Sequence, residues 1–264
     1  MTTSAVPAAP TARHPSLRAA HPTGTRLLTR TPAADLQLLF LGVNPVTAAA
    51  AIILAGCGVR GFTVLDPRPV TWDDAAAGAY DLPDVGRSRD HSLRQRLLAA
   101  NPQALAGGRA ELFPGPDRPG TLVIRARSTG ITDPTDDDAP LAAAASHLAE
   151  DHLVLDVISV EGHPPGTTMV WPVRPWYARA CSECVRAAAG TSPREPARTP
   201  RHEAWPSHTA VAAGVTAQHV LAAATSTLVD PSESLVTVLR PGAPLSTVDI
   251  TGVGPEPCAW CSPG

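Results

Sequence analysis

The feature that most constrains the fold is a strand–helix–strand pattern between residues 36 and 66. The continuous apolar run at 36–41 predicts a strand buried on both faces, as in a parallel sheet. Gly42 ends this strand, a helix follows, and residues 62–65 form a second strand that ends at Asp66. A loop glycine followed about 20 residues later by a carboxylate is typical of nucleotide-binding units, in which the carboxylate binds a ribose.

The alternation of strands and helices continues to about residue 160. Helical spacing predicts a helix at 88–100, and apolar runs predict parallel strands at 122–124 and 153–158. This order predicts an α/β fold with a doubly wound, mostly parallel Rossmann-like sheet. Three further features predict a C-terminal antiparallel extension: a short strand at 167–172, a long helix at 209–228, and a strand pair at 235–239 and 245–250.

Four of the five cysteines form two Cys-x-x-Cys pairs, Cys181 with Cys184 and Cys258 with Cys261. A two-residue spacer lets both thiolates of a pair reach one ion, and structural zinc prefers four such ligands. We therefore predict a zinc clip that fastens the C-terminal tail to the domain. The alternatives are a site that has lost its metal, or a redox pair, which lacks here the thioredoxin-like pattern. Cys57, between two glycines, is predicted to be a small buried residue.

Composition bounds the domain organisation and the partners. Residues 1–34 are rich in Pro, Ala, Thr and Ser without a hydrophobic period, which predicts a disordered arm before one domain at 35–264. We expect a nucleotide-binding half at about 35–160 and a zinc-clipped part at about 161–264. A net charge of −3 with no basic block argues against nucleic acid. Since no apolar run matches a membrane span or a signal peptide, we expect a cytoplasmic protein without a membrane partner.

Several short motifs together resemble the ThiF family, the adenylyltransferases of thiamine and molybdopterin biosynthesis that are related to ubiquitin-activating enzymes. The resemblance rests on residues 55–66, on residues 84–89 followed by a helix and Asn101-Pro102, and on both cysteine pairs. It covers about residues 36–262. It implies a ThiF-like domain that binds Mg-ATP, activates the C-terminal carboxylate of a small protein or peptide as an acyl-adenylate, and forms a homodimer.

The resemblance also implies a nucleotide site made by Gly42, Asp66, Arg89 and Asp156. Gly42 is the first glycine of the loop, and Asp66 matches the acid that binds the ribose. Arg89 stands at the family's phosphate-binding lysine, keeping the charge but not the shape. Asp156 opens the family's Asp-x-x-Asp-Asn motif. The residues alone leave alternatives open: a turn residue at Asp66, a solvated helix residue at Arg89 and a solvent-facing carboxylate at Asp156.

Other family positions are substituted. The loop at 42–47 keeps only the first glycine of G-x-G-x-x-G, and Arg68 replaces a second acidic residue. Ala77 stands at an arginine position, and Ser159 stands at the position of the magnesium-binding aspartate. Contacts of these kinds typically contribute a few kcal/mol each to transition-state stabilisation. We therefore expect no confident catalytic residue and an impaired or lost adenylation activity.

Two functions follow from this combination. The first is a degenerate ThiF-family accessory protein of ribosomal peptide modification, which binds a leader peptide, a small protein or a modifying enzyme. The second is a divergent but active ATP-dependent adenylyltransferase, so whether the chain is an enzyme stays open. The expected cofactor is structural zinc, and the resemblance allows ATP and magnesium as well.

Overall fold

The computed structural model describes residues 31–107, 121–128, 152–160, 166–175, 206–225 and 235–249. The helices are α1 (Pro45–Gly56), α2 (Trp72–Ala76), α3 (Arg89–Ala100) and α4 (Pro206–Thr225). The strands are β1 (Gln37–Leu41), β2 (Gly61–Leu65), β3 (Leu105–Gly107), β4 (Thr121–Ser128), β5 (Leu153–Val160), β6 (Thr167–Val170), β7 (Arg174–Pro175), β8 (Leu235–Leu239) and β9 (Ser246–Asp249).

The strands form one sheet in the order β3-β2-β1-β4-β5-β6-β8-β9, and β7 pairs with β5. Strands β3, β2, β1, β4 and β5 pair in parallel, whereas β6, β8 and β9 run antiparallel. The chain order reverses between β1 and β4, which is the switch point where doubly wound sheets bind ligands. The mostly parallel α/β sheet and its antiparallel C-terminal extension are confirmed.

An apolar core on one face of the sheet holds the helices in place. Leu38 and Phe40 of β1 are buried in a cluster with side chains of α1, α3 and α4. The ring of Phe40 stacks on Phe62 of β2, with ring centroids 6.4 Å apart. Each such burial stabilises the fold by about 1.5–3 kcal/mol. This packing places the start of α1 at the carboxyl end of β1.

The structure differs from the sequence-based expectations at several local positions. The short helix α2 was not predicted; it begins with a capping box between Thr71 and Asp74. Strand β3 was not predicted, because three residues show no period. Cys57 is exposed, so its predicted burial is wrong. It lies at the C-cap of α1, where the helix ends and the chain turns toward β2.

Several predictions lie outside the described residues. All four cysteines of the zinc clip belong to undescribed segments, as do residues 1–30 of the predicted arm. Among the residues that the structure does describe, there is no cluster of metal-binding side chains. Over the same residues, no helix combines the length and apolar character needed to cross a membrane. The division into an arm and two halves stays a prediction.

Candidate functional site

The loop after β1 closes the N-terminus of α1 with its own side chains. Gly42 adopts a left-handed backbone, φ 66°, which glycine reaches without strain. The Asn44 side-chain oxygen accepts the Thr47 N–H at 2.9 Å, and the Thr47 hydroxyl oxygen accepts the Asn44 N–H at 3.0 Å. Pro45, the first helical residue, has no N–H. The backbone donors of Asn44 and Thr47 are therefore occupied, and Pro45 has none, so this turn offers few N–H groups to cradle a phosphate.

Asp66 is fully buried, and protein donors fill both of its oxygens. Oδ1 accepts the Arg68 N–H at 3.1 Å and the Arg68 Nε–H at 2.8 Å. Oδ2 accepts Arg68 Nη2–H at 2.7 Å and the Val43 N–H at 2.6 Å. A carboxylate offers about four acceptor positions, so these four bonds exhaust it. The residue expected to bind a ribose instead fixes the loop to the segment after β2.

Arg89, in the first turn of α3, is likewise engaged within the protein. Its Nε and Nη2 donate to Oδ2 of Asp74 at 3.1 and 2.7 Å. Its Nη1 donates to the Val43 carbonyl oxygen at 2.9 Å and lies 3.8 Å from Asp66 Oδ2. Only 14% of the side chain is exposed, so this arginine is tethered rather than solvated. Asp74, which closes the capping box of α2, thereby neutralises the arginine that was expected to bind phosphate.

The charges around the loop balance one another. Asp66 and Asp74 face Arg68 and Arg89, which leaves two negative and two positive charges in contact. Tyr80 is buried near Arg89, Asp74 and Asp66. Burial raises the pKa of its hydroxyl, so the side chain stays neutral. A triphosphate needs an excess of positive charge or a metal ion. This set of residues supplies no such excess.

Asp156 belongs to a different charge pair, in the interior of the sheet. It is 1% exposed and accepts Nε–H and Nη2–H of Arg125 at 2.6 and 2.9 Å. The two residues are register partners on β5 and β4. This burial rules out the alternative of a solvent-facing carboxylate at Asp156. Arg125 was not predicted as a site residue. The sequence feature that could have indicated it is a charged residue inside an apolar strand.

The residues at the family's site positions are only partly brought together. Gly42, Asp66 and Arg89 surround the loop after β1, whereas the carboxylate of Asp156 pairs with β4. The Asn44 amide donates to Ser159 Oγ at 3.3 Å, so the loop contacts β5 through neutral groups, at the position where the resemblance implies a magnesium-binding aspartate. Asp74 and Asn44 were not predicted as site residues. Asn44 opens the capping box of α1, and Asp74 closes the capping box of α2. The three-residue spacing of such a box is the sequence feature that could have indicated both residues.

A histidine on α4 connects that helix to the antiparallel extension. His208 is partly buried, and its Nε2 lies 3.3 Å from the Thr168 hydroxyl of β6. Burial lowers the pKa of His208 below its ordinary value, because the imidazolium form is desolvated. The folded protein therefore favours the neutral ring.

This burial predicts a pH-dependent stability. The contribution of neutral His208 is fully present above the unfolded pKa of about 6.5 and is lost as pH falls through the lower folded pKa. Thermal unfolding between about pH 5 and pH 8 should show a steeper acid loss of Tm for the native chain than for His208→Gln. The exposed His91→Gln variant is the control and keeps the native slope. Parallel curves for the native chain and His208→Gln would contradict this assignment.

Comparison with solved structures places this arrangement in a known fold. E. coli MccB in complex with MccA-N7isoASN matches with a TM-score of 0.58 at 14% identity, over 87% of this chain and 68% of MccB. E. coli MccB with ATP gives 0.56 at 15% identity, over 87% and 68%. PaaA gives 0.53 at 15% identity, over 83% of this chain and 65% of PaaA.

No protein-family model matches the chain, and a search of curated proteins finds no match. The sequence identity to these solved structures is far too low for an activity to be carried over. The comparison therefore establishes the architecture alone. It agrees with the motifs around Asp66, Arg89 and Asn101-Pro102 that resemble the ThiF family. The chain therefore has the Rossmann-like fold of MccB and PaaA, as the sequence motifs predicted.

Proposed function

We propose that this chain is an accessory protein of ribosomal peptide modification that binds a peptide or its modifying enzyme and does not activate ATP. The observation that carries the proposal is the full occupancy of Asp66 by Arg68 and the Val43 N–H. A working nucleotide site keeps its ribose acid available, whereas this one uses it to hold the loop. Arg89, paired with Asp74, gives the same support at the phosphate position.

The structural neighbours support the choice of partner. MccB is a microcin C7 biosynthetic enzyme solved in complex with N-formylated MccA. This chain spans about two thirds of MccB and of PaaA, so a peptide partner is carried over only as part of the proposal. The same proposal includes a homodimer in the cytoplasm, with a nucleotide-type half at 35–160 and a clipped half at 161–264.

Calorimetry with Mg-ATP tests the loss of nucleotide activation. We expect no binding heat for this chain and no ATP–pyrophosphate exchange with any candidate peptide, because the ribose and phosphate contacts are taken by side chains. MccB, which is solved with ATP, serves as the positive control in both assays. Robust exchange would instead establish a divergent but active adenylyltransferase.

Metal analysis tests the proposed zinc clip of Cys181, Cys184, Cys258 and Cys261. We expect about one zinc per purified chain, since four thiolates complete a tetrahedral structural site. Replacing Cys258 and Cys261 with serine should release the metal and lower the Tm. Cys57→Ser is the matched control, because this cysteine lies exposed at the end of α1 and should leave the zinc content unchanged. Metal-free protein after mild purification would contradict the clip.

A further inference from the structure

The contacts of Asp66 have the pattern that a bound ribose would make. A ribose offers two neighbouring hydroxyl donors to such a carboxylate. Arg68 offers two neighbouring guanidinium donors, with Nε 2.8 Å from Oδ1 and Nη2 2.7 Å from Oδ2. The planar fork of arginine matches a carboxylate in the same two-point manner. Arg68 therefore occupies the place of the ribose diol.

The phosphate contacts have internal counterparts as well. The Asn44 side-chain oxygen sits on the Thr47 N–H at 2.9 Å, where an anion would bind at a helix N-terminus. The Asp74 carboxylate sits 2.7 Å from Nη2 of Arg89, where a phosphate oxygen would meet the cation. Three contacts typical of a nucleotide thus each have a side-chain substitute.

We propose that Arg68, Asp74 and the Asn44–Thr47 capping box form a built-in mimic of a nucleotide, and that Arg68 excludes a nucleoside from a latent ribose site on Asp66. This inference rests on the proposed function, because it explains how the site lost ATP. The mimic consists of two separate parts. Arg68 blocks the ribose contact, and the capping box with Asp74 blocks the phosphate contacts.

The separation predicts a distinctive order of ligand affinities. Removing Arg68 frees both oxygens of Asp66 from the fork but leaves the start of α1 closed. The opened site should therefore bind adenosine, and the phosphates of AMP or Mg-ATP should add nothing. Restoring glycine at Asn44 and Thr47, the loop positions of the G-x-G-x-x-G pattern, removes both side chains of the box. Phosphates should then improve binding.

Saturation-transfer NMR and calorimetry with adenosine, AMP and Mg-ATP test the proposal on the full chain. We expect adenosine to bind Arg68→Ala at least about tenfold more tightly than the native chain, a change of about 1.4 kcal/mol, with no gain from phosphates. The variant combining Arg68→Ala, Asn44→Gly and Thr47→Gly should bind AMP more tightly than adenosine. Arg87→Ala, at an exposed arginine in the turn before α3, should behave as the native chain.

Two results would overturn the mimic. One is a folded Arg68→Ala variant that gains no adenosine binding, and the other is an equal gain in Arg87→Ala. Should Arg68→Ala fail to fold, Arg68→Gln, which keeps most of the side-chain length without the charged fork, decides by the same criterion. If the native chain binds no ATP and a folded Arg68 variant binds no adenosine, the mimic alone is contradicted and the proposed function stands. ATP binding by the native chain removes the proposed function itself.

Discussion

Replacing Asp66 with alanine lowers the free energy of unfolding by about 1.5–3 kcal/mol, because the Val43 N–H and the partly exposed Arg68 guanidinium lose their acceptor. The variant leaves the Val43 N–H and the Arg68 guanidinium without their carboxylate, and it removes a nearby negative charge from Arg89. Urea unfolding of the native chain and the variant measures the loss. Asp73→Ala, at an exposed carboxylate on α2, is the control and should change stability by about 0.5 kcal/mol or less.

The sign of this effect separates a structural carboxylate from a functional one. A ribose-binding acid held ready for its ligand costs the fold something, so its removal leaves stability unchanged or raises it. A carboxylate that holds Arg68 and the loop stabilises the fold, so its removal lowers the free energy of unfolding. A loss below about 1 kcal/mol in Asp66→Ala would contradict the self-occupied site.

Replacing Asp156 with alanine should cost more, about 3–5 kcal/mol, for a purely structural reason. The Arg125 guanidinium is 3% exposed and would lose both of its hydrogen bonds to the Asp156 carboxylate. Chemical denaturation is again the measurement. Asp90→Ala breaks a helix-surface pair with Arg94, at 3.5 Å, and should cost about 0.5 kcal/mol or less.

A paired apolar replacement sharpens the second prediction. Arg125→Met with Asp156→Leu removes both buried charges together, and such exchanges are often neutral or stabilising. The double variant should therefore recover most of the stability that Asp156→Ala loses. A double variant no more stable than Asp156→Ala would show that packing, rather than the broken ion pair, accounts for the loss.

The sequence predicts the parallel half of the fold well, for reasons of pattern. Strands β1 and β5 are predominantly apolar, and α1 lies between turn residues that mark its ends. Such signals are local, and the strand–helix alternation then restricts the topology. Strand β3 gives no such signal, because its three residues pair with β2 only through the tertiary arrangement.

Of the four residues predicted for the site, the structure brings Gly42, Asp66 and Arg89 around one loop and pairs Asp156 with Arg125. Spacing linked Gly42 to Asp66, whereas the resemblance to the ThiF family added Arg89 and Asp156. The sequence also showed Arg68 at an acidic position, yet it did not show that the side chain folds back two residues onto Asp66. That contact depends on side-chain geometry, which periodicity does not encode.

The pairing of Asp156 shows the same limit across strands. Its neighbour Arg125 stands 31 positions earlier in the chain, and only the register of β4 with β5 makes the two adjacent. An arginine in an apolar strand indicates a buried partner, but the choice among several acidic residues requires the sheet. Long-range charge pairs of this kind are therefore the part of the site that a single sequence withholds.

The most direct measurement of the central claim is the side-chain NMR signal of Arg68 during a titration with Mg-ATP. The Nε–H resonance is assigned by its disappearance in Arg68→Gln. A guanidinium held on buried Asp66 predicts a resonance that exchanges slowly with water and keeps its position at millimolar Mg-ATP. A saturable shift of that resonance, or loss of its protection as ATP is added, would show that a ribose displaces Arg68 and would contradict the self-occupied site.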